Sequence, residues 1–202
     1  TIPEFTKGIS LMWLNQIVVF GAMLLVPLYL QNVVGLSSEN TGLIMVPQAI
    51  ASFLGMTIGG RIFDKFGTKA AVLPGFTLGA LSLSLFSQIK PSSSLTFTLC
   101  AIVLLGLSQG LVNMQVNNHA LQSVPMKNIS RVTPLTNEMM QVVNSFAIAF
   151  LTAFLSGQIK KQTGLSPLQA NLTAFHHTFY LLLIFVSFGF ILSLFLRKKV
   201  KA

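Results

Sequence analysis

The sequence predicts an all-α membrane protein with six transmembrane helices. Hydrophobic residues make up 52% of the 202-residue chain and charged residues only 8%, whereas soluble domains carry about 25% charged residues. Six stretches are long and apolar enough to cross a bilayer, which takes about 20 residues in a helix. Their continuous apolar runs lack the two-residue alternation of a β-barrel. The predicted spans are 9–31, 41–63, 71–89, 95–118, 134–158 and 174–196.

The first three spans are separated by polar or glycine-rich breaks. The first contains Trp13 near one end and Tyr29 near the other, as expected for aromatic residues at the two membrane interfaces. Asn15 and Gln16 are polar groups inside this span and are candidates for contact with a substrate. The second span follows a short polar segment and ends in the charged stretch GGRIFDKFGTKAA at 59–71, after which the third begins.

The fourth span is the most polar of the six. Gln109, Asn113 and Asn117 recur every four residues and therefore lie on one helix face. Gly106 and Gly110 form a GxxxG pattern that allows another helix to approach closely. The three amides fit two interpretations equally, namely hydrogen bonding between helices and the wall of a substrate cavity.

The fifth span carries Glu138, Gln141 and Ser145 on one face. Pro134 suits the first turn of a helix that is capped by Thr133, which places Glu138 about one turn into the helix. Glu138 is then either a carboxylate stabilised by the helix N-terminus or a titratable group at the mouth of a cavity. Gln141 and Ser145 are candidate cavity residues.

Lysine and arginine residues in the short breaks predict the orientation, because they are enriched on the cytoplasmic side. A cytoplasmic N-terminus places ten of them inside and three outside, and six spans then leave both termini in the cytoplasm. The ten are Lys7, Arg61, Lys65, Lys69, Lys127, Arg131, Arg197, Lys198, Lys199 and Lys201, and the three are Lys90, Lys160 and Lys161. The net charge of +9 is thus explained by topology, and no nucleic-acid partner is expected.

The sequence shows no catalytic or metal-binding pattern. His119 lies at the inner end of the fourth span, and His176 and His177 lie at the outer start of the sixth. Scattered histidines without cysteine or carboxylate partners do not make a metal site. We therefore expect neither enzymatic activity nor a cofactor.

The charged stretch carries a family pattern. Its segment GRIFDKFGTK at 60–69 resembles the Gly-x-Leu-x-Asp-Arg-x-Gly-Arg-Lys loop of the major facilitator superfamily, with Ile62 in place of the leucine and Thr68 in place of a basic residue. The positions that match in identity or charge are Gly60, Asp64, Lys65, Gly67 and Lys69. Segments 26–50 and 106–125 are similar to the C-terminal half of the fourteen-helix drug:proton antiporters, so the resemblance covers essentially the whole chain.

This resemblance implies a six-helix bundle made of two inverted three-helix repeats, and a complete transporter has two such bundles. Residues 1–202 would form the C-terminal bundle, while the N-terminal half, with its proton-carrying acids, would be absent. Export of drugs or other amphipathic small molecules by alternating access is implied, in the plasma membrane of a bacterium. The partners would be the lipid bilayer, the other half, the substrate and protons.

The resemblance also makes the charged stretch a gating loop. Its members would be Gly60, Arg61, Asp64, Lys65, Gly67 and Lys69. Asp64 would engage a helix terminus of the opposite half when the transporter faces outward. A simpler interpretation is a turn that only fixes topology, with glycines for a tight reversal and basic residues at the headgroups. At the level of the whole chain, the alternative is a non-transporting six-helix module such as a regulatory or assembly subunit, and a membrane enzyme ranks third.

Overall fold

The computed structural model describes residues 2–90, 93–122, 126–162, 164 and 166–196. Within these ranges there are six α-helices and no strand, which confirms the all-α fold. They are α1 (Ile2–Asn32), α2 (Ser38–Phe66), α3 (Thr68–Phe86), α4 (Leu95–Gln122), α5 (Met126–Lys161) and α6 (Pro167–Leu194). Each overlaps one predicted span and is long and apolar enough to cross a membrane. The basic residues Arg197, Lys198, Lys199 and Lys201 lie outside the described residues.

The helices pack as two matching sets of three. In one set, α2 and α3 both pack against α4. In the other set, α5 and α6 both pack against α1, and α3 and α6 also pack against each other. Exchange of α1–α3 for α4–α6 therefore preserves the main contacts, as expected of two inverted repeats. Only 22% of the most apolar window of α2 and of α5 is buried, against 50% for α1 and α4. α2 and α5 are thus the two helices that bury the smallest share of their apolar windows.

The closest helix contact joins α2 and α4. A Cβ added at Gly110 would overlap the carbonyl oxygen of Ser52, and one added at Gly106 would overlap that of Gln48. Only glycine fits at these two positions, in agreement with the close approach expected of the GxxxG pattern. Gln48 Nε2 also donates to Gln109 Oε1 at 3.2 Å, so Gln109 takes part in hydrogen bonding between helices.

The core between α1 and α6 is built around Tyr29. Its side chain is fully buried, and its ring packs edge-on against Phe175 and Phe179, with centroids 5.5 and 5.8 Å apart. Its hydroxyl donates to the carbonyl of Ile89 at 2.7 Å. The prediction that Tyr29 belongs to an aromatic belt facing the membrane interface is wrong, because its ring and hydroxyl are buried against protein groups.

α5 begins earlier than the sequence indicated. The helix starts at Met126, so the predicted N-cap at Thr133 is wrong and Pro134 lies inside the helix. Membrane helices tolerate such prolines because neighbouring groups satisfy the carbonyl that loses its partner. Glu138 consequently lies about three turns into α5, beyond the first turn in which a helix N-terminus stabilises a carboxylate.

Candidate transport site

A small, partly open pocket lies between α1, α4 and α5. Four of the predicted cavity residues line it, namely Asn15, Gln16, Asn113 and Asn117. The other lining residues are Met12, Val116 and Met140. The α-helical repeat explains the grouping, since residues three or four positions apart share a helix face.

A hydrogen bond joins the two helices that form the pocket wall. Asn15 Nδ2 of α1 donates to Asn113 Oδ1 of α4 at 3.4 Å. Asn15 and Gln16 are buried, whereas Asn113 is exposed. An asparagine amide has two N–H donors and one carbonyl acceptor, and the bond to Asn15 uses only the acceptor of Asn113. The Nδ2 group of Asn113 therefore stays available to a molecule in the pocket.

The pocket chemistry is neutral and adaptable. Among the described residues, none with a charged side chain lines it. The amides offer fixed hydrogen-bonding groups, while Met12 and Met140 are flexible, polarisable side chains that adjust to ligands of different shape. Such a lining suits small molecules with an apolar body and a few polar groups.

Three predicted site residues of α5 lie outside this pocket, as does Gln109 of α4. Glu138, Gln141 and Ser145 are exposed on α5 and do not appear among the lining residues. Met140, next to Gln141 in the chain, does line the pocket. The exposed polar face of α5 thus begins at the edge of the pocket and turns away from it.

The methionines Met12 and Met140 and the aliphatic Val116 are the lining residues that the sequence analysis missed. A search for polar groups inside apolar spans cannot find them, because they resemble every other core residue. One signal was available for Met12, which lies three and four positions before Asn15 and Gln16 and therefore on the same side of α1.

The charged stretch is helical except at one residue. α2 continues through Arg61, Asp64 and Lys65 to Phe66, and α3 starts directly after Gly67. Gly67 makes the reversal alone, with φ at +84° and ψ at 176°, a backbone region that is essentially restricted to glycine. The prediction that the stretch forms a loop of several residues is wrong.

Gly60, by contrast, is an ordinary helical residue of α2. A Cβ added there would meet no atom within 4 Å. The expectation that this glycine is needed for a tight reversal is therefore wrong, and only Gly67 meets that need.

Asp64 lies in an unfavourable position for a carboxylate. It is exposed in the last turn of α2, where the helix dipole favours positive charge. It forms no ion pair with any residue that the structure describes. The neighbouring Lys65 places its Nζ 5.3 Å from the ring centroid of Phe66, so this lysine lies along the end of its own helix.

Two lysines bind the end of α6. Lys69 Nζ donates to the carbonyl of Leu194, and Lys7 Nζ donates to that of Phe195 at 3.3 Å. These carbonyls belong to the C-terminal end of the helix, which carries partial negative charge. Lys69, predicted as part of the gating loop, thus also joins α3 to α6.

Six helices long enough to cross a membrane, in two matching sets of three with a polar pocket between helices of both sets, define one bundle of a secondary transporter. The sequence pattern of the family described as "Major Facilitator Superfamily" matches residues 3–147. The chain therefore belongs to this superfamily. This match confirms the family predicted from segment 60–69, and the chain is a multi-pass membrane protein of a transporter family.

Relatives in bacteria carry names from antibiotic resistance. The chain is 31% identical over 205 residues to "Lincomycin resistance protein LmrB" of Listeria innocua serovar 6a, which covers 97% of this chain and 43% of that protein. It is 25% identical to a protein of the same name from Bacillus subtilis, with the same two coverages. The match to "Multidrug resistance protein B homolog" of Mycobacterium tuberculosis is 29% identical and covers 69% of this chain and 26% of that protein.

A solved structure shows the same fold. The structure described as "Structural insights into substrate recognition in proton dependent oligopeptide transporters" superimposes with a TM-score of 0.81 at 16% identity, over 99% of this chain and 43% of that chain. The chain thus spans less than half the length of these relatives.

Proposed function

We propose that this chain is the C-terminal half of a proton-coupled exporter of drugs or other amphipathic small molecules. The observation that carries the proposal is the pocket in which Asn15 and Asn113 meet between flexible methionines. A neutral, adaptable lining fits substrates that vary in shape, and relatives named for lincomycin and multidrug resistance support the same class of substrate. The membrane would be the plasma membrane of a bacterium, with both termini in the cytoplasm.

The large exposed faces of α2 and α5 support a second bundle as partner. The relatives are more than twice as long as this chain, which leaves room for six or more further helices. In the completed transporter, the exposed Gln141, Ser145 and Glu138 of α5 would face the central cavity, beside the pocket edge at Met140. Protons would bind to acids in the other half, with Glu138 as the candidate acid of this one.

Asp64 would contribute to gating in this mechanism. Its carboxylate lies where its own helix disfavours it, and the N-terminus of a helix in the other half would stabilise it there. This contact would form in one of the two conformations of alternating access and break in the other. Proton binding shifts the equilibrium between the two conformations by the difference in proton affinity between them.

The test is export by the complete transporter, meaning this chain together with the other half. Cells that express it should expel ethidium, a fluorescent amphipathic cation, and should tolerate more lincomycin than cells without it. Asn113→Leu should slow ethidium efflux, because it removes a pocket donor. Met114→Leu is the matched control, since Met114 is the exposed neighbour of Asn113 outside the pocket.

Equal efflux by Asn113→Leu and Met114→Leu would remove the pocket from the proposal. If the complete transporter moves neither compound, the alternative of a non-transporting six-helix module gains support. Asp64→Asn should slow efflux while Asp64→Glu retains part of it, because glutamate keeps the charge. Unimpaired efflux by Asp64→Asn would remove the gating role.

A further inference from the structure

α4 carries polar side chains on two opposite faces. Successive helical residues are rotated by about 100°, so Asn113 and Asn117 share the face toward the pocket, while Gln115 and His119 point away from it. Gln115 and His119 are each only 1% exposed. Polar side chains buried in a membrane helix are costly and mark functional contacts. The mechanism above uses neither of them.

His119 holds the start of α3. Its Nδ1 lies 3.0 Å from Thr68 Oγ1, within hydrogen-bonding distance, and Thr68 is the buried first residue of α3. Gly67, which precedes it, provides no side-chain cap for this helix. The hydrogen bond between Thr68 and His119 therefore ties the first turn of α3 to α4.

Gln115 binds α2 in a similar way, at Gly60, about two turns before the end of that helix. With its amide turned so that both ends meet suitable partners, its oxygen accepts from Gly60 N at 2.8 Å and its nitrogen donates to the α4 backbone at 3.1 Å. Gly59 leaves room for this side chain, because a Cβ there would come within 2.7 Å of the end of the amide that faces Gly60. Gln115 thus binds α2 before Gly67. His119, one turn further along α4, binds α3 after Gly67.

We propose that Gln115 and His119 are positioning residues that keep Asp64 in a fixed relation to the pocket. The corner formed by the last two turns of α2 from Gly60 onward, Gly67 and the start of α3 carries Asp64, and both hydrogen bonds attach this corner to α4. A shift of α4 on substrate binding at Asn113 would then move the corner with it, as small helix shifts do in other switching proteins. This inference rests on the proposed function, which gives Asp64 its gating role.

The first test measures ethidium efflux by the complete transporter with His119→Leu, with Thr68→Val and with both. Each variant removes one partner of the same hydrogen bond, so each should slow efflux about 2- to 10-fold. The double variant should be no slower than the slower single variant, because the two changes disrupt one interaction. His119→Asn and Thr68→Ser keep a hydrogen-bonding atom and should restore most of the rate. His177→Leu, at an exposed histidine of α6, is the control.

Asp64 separates positioning from general damage to the fold. When His119→Leu is added to Asp64→Asn, the efflux rate should fall no further than in Asp64→Asn alone, because the corner no longer carries the carboxylate. An equal fold-loss in that background overturns the inference. The inference is also overturned if the rate losses of His119→Leu and Thr68→Val multiply in the double variant. It is likewise overturned if His119→Leu transports ethidium at the wild-type rate.

A second readout keeps this inference distinguishable from the proposed function. In a Cys100→Ser background and in inverted membrane vesicles, whose outer surface is the cytoplasmic face, a cysteine introduced by Lys65→Cys reports how readily a membrane-impermeant maleimide reaches the corner of the complete transporter. His119→Leu should change the labelling rate several-fold, and His177→Leu should not. An unchanged rate in His119→Leu overturns the inference. A changed rate without any ethidium efflux supports it and counts against the proposed function alone.

Discussion

Lys69 at the start of α3 donates a hydrogen bond to the carbonyl of Leu194, the last residue of α6. Two helices that are far apart in sequence thus meet through a charge placed at a helix C-terminus, where the dipole favours it. The same residue belongs to the family pattern at 60–69. One lysine of that pattern therefore stabilises the fold of this bundle, in addition to any role in gating.

Replacement of this lysine should destabilise the bundle. Lys69→Met keeps the length of the side chain and removes its charge and donors, so we expect a loss of about 0.3–1 kcal/mol in the free energy of unfolding. Unfolding of the detergent-solubilised protein measures it. Lys65→Met is the matched control, because Lys65 is a lysine of the same charged stretch whose Nζ lies over the ring of the adjacent Phe66. Equal stability of the two variants would contradict the assigned contact.

The two glycines of the charged stretch should respond differently to the same change. Gly67→Ala forces an L side chain into a backbone region reserved for glycine and should cost about 1–3 kcal/mol. Gly60→Ala should be neutral or slightly stabilising, since Gly60 is helical with open space around it and alanine is the better helix former. The free energies of unfolding of the two variants are compared in detergent. If Gly60→Ala were the less stable variant, the finding that Gly67 alone makes the turn between α2 and α3 would be contradicted.

Removal of the Tyr29 hydroxyl should weaken the end of the core near Ile89. Tyr29→Phe keeps the ring contacts with Phe175 and Phe179 and removes one hydrogen bond, which costs about 0.5–1.5 kcal/mol. His176 Nε2 lies 3.0 Å from the same carbonyl, so that oxygen keeps a partner and the loss stays within this range. Tyr180→Phe, at an exposed position, should change stability little. A loss of similar size in both variants would show that Tyr29 is not special.

Much of the fold could be predicted because bilayers impose strong rules. Segment length and the scarcity of charge determine the number of spans, and the pattern at 60–69 identifies the family. The start of α5 could not be predicted. Proline favours the first turn of a helix, which pointed to Pro134, but membrane helices also tolerate proline in their interior. Tyr29 was misplaced for a related reason, because position along a span does not show whether a side chain faces lipid or protein.

The site could be predicted only in part. Asn15, Gln16, Asn113 and Asn117 stand out because polar groups inside spans are costly, and the structure brings them together in one pocket. Gln109 has the same spacing as Asn113 and Asn117 but binds Gln48 instead, since α2 crosses α4 at that level. Which amide meets a helix and which meets a cavity depends on how the helices cross, and a single sequence does not contain that information.

The most direct test of proton-coupled export uses inverted membrane vesicles that hold the complete transporter. An imposed proton gradient, acidic inside, should drive ethidium into the vesicles, because protons leaving the lumen exchange for the cation. Asp64→Asn should slow this accumulation, and an ionophore that dissipates the gradient should abolish it. Accumulation that continues unchanged after the gradient has been dissipated would contradict the account.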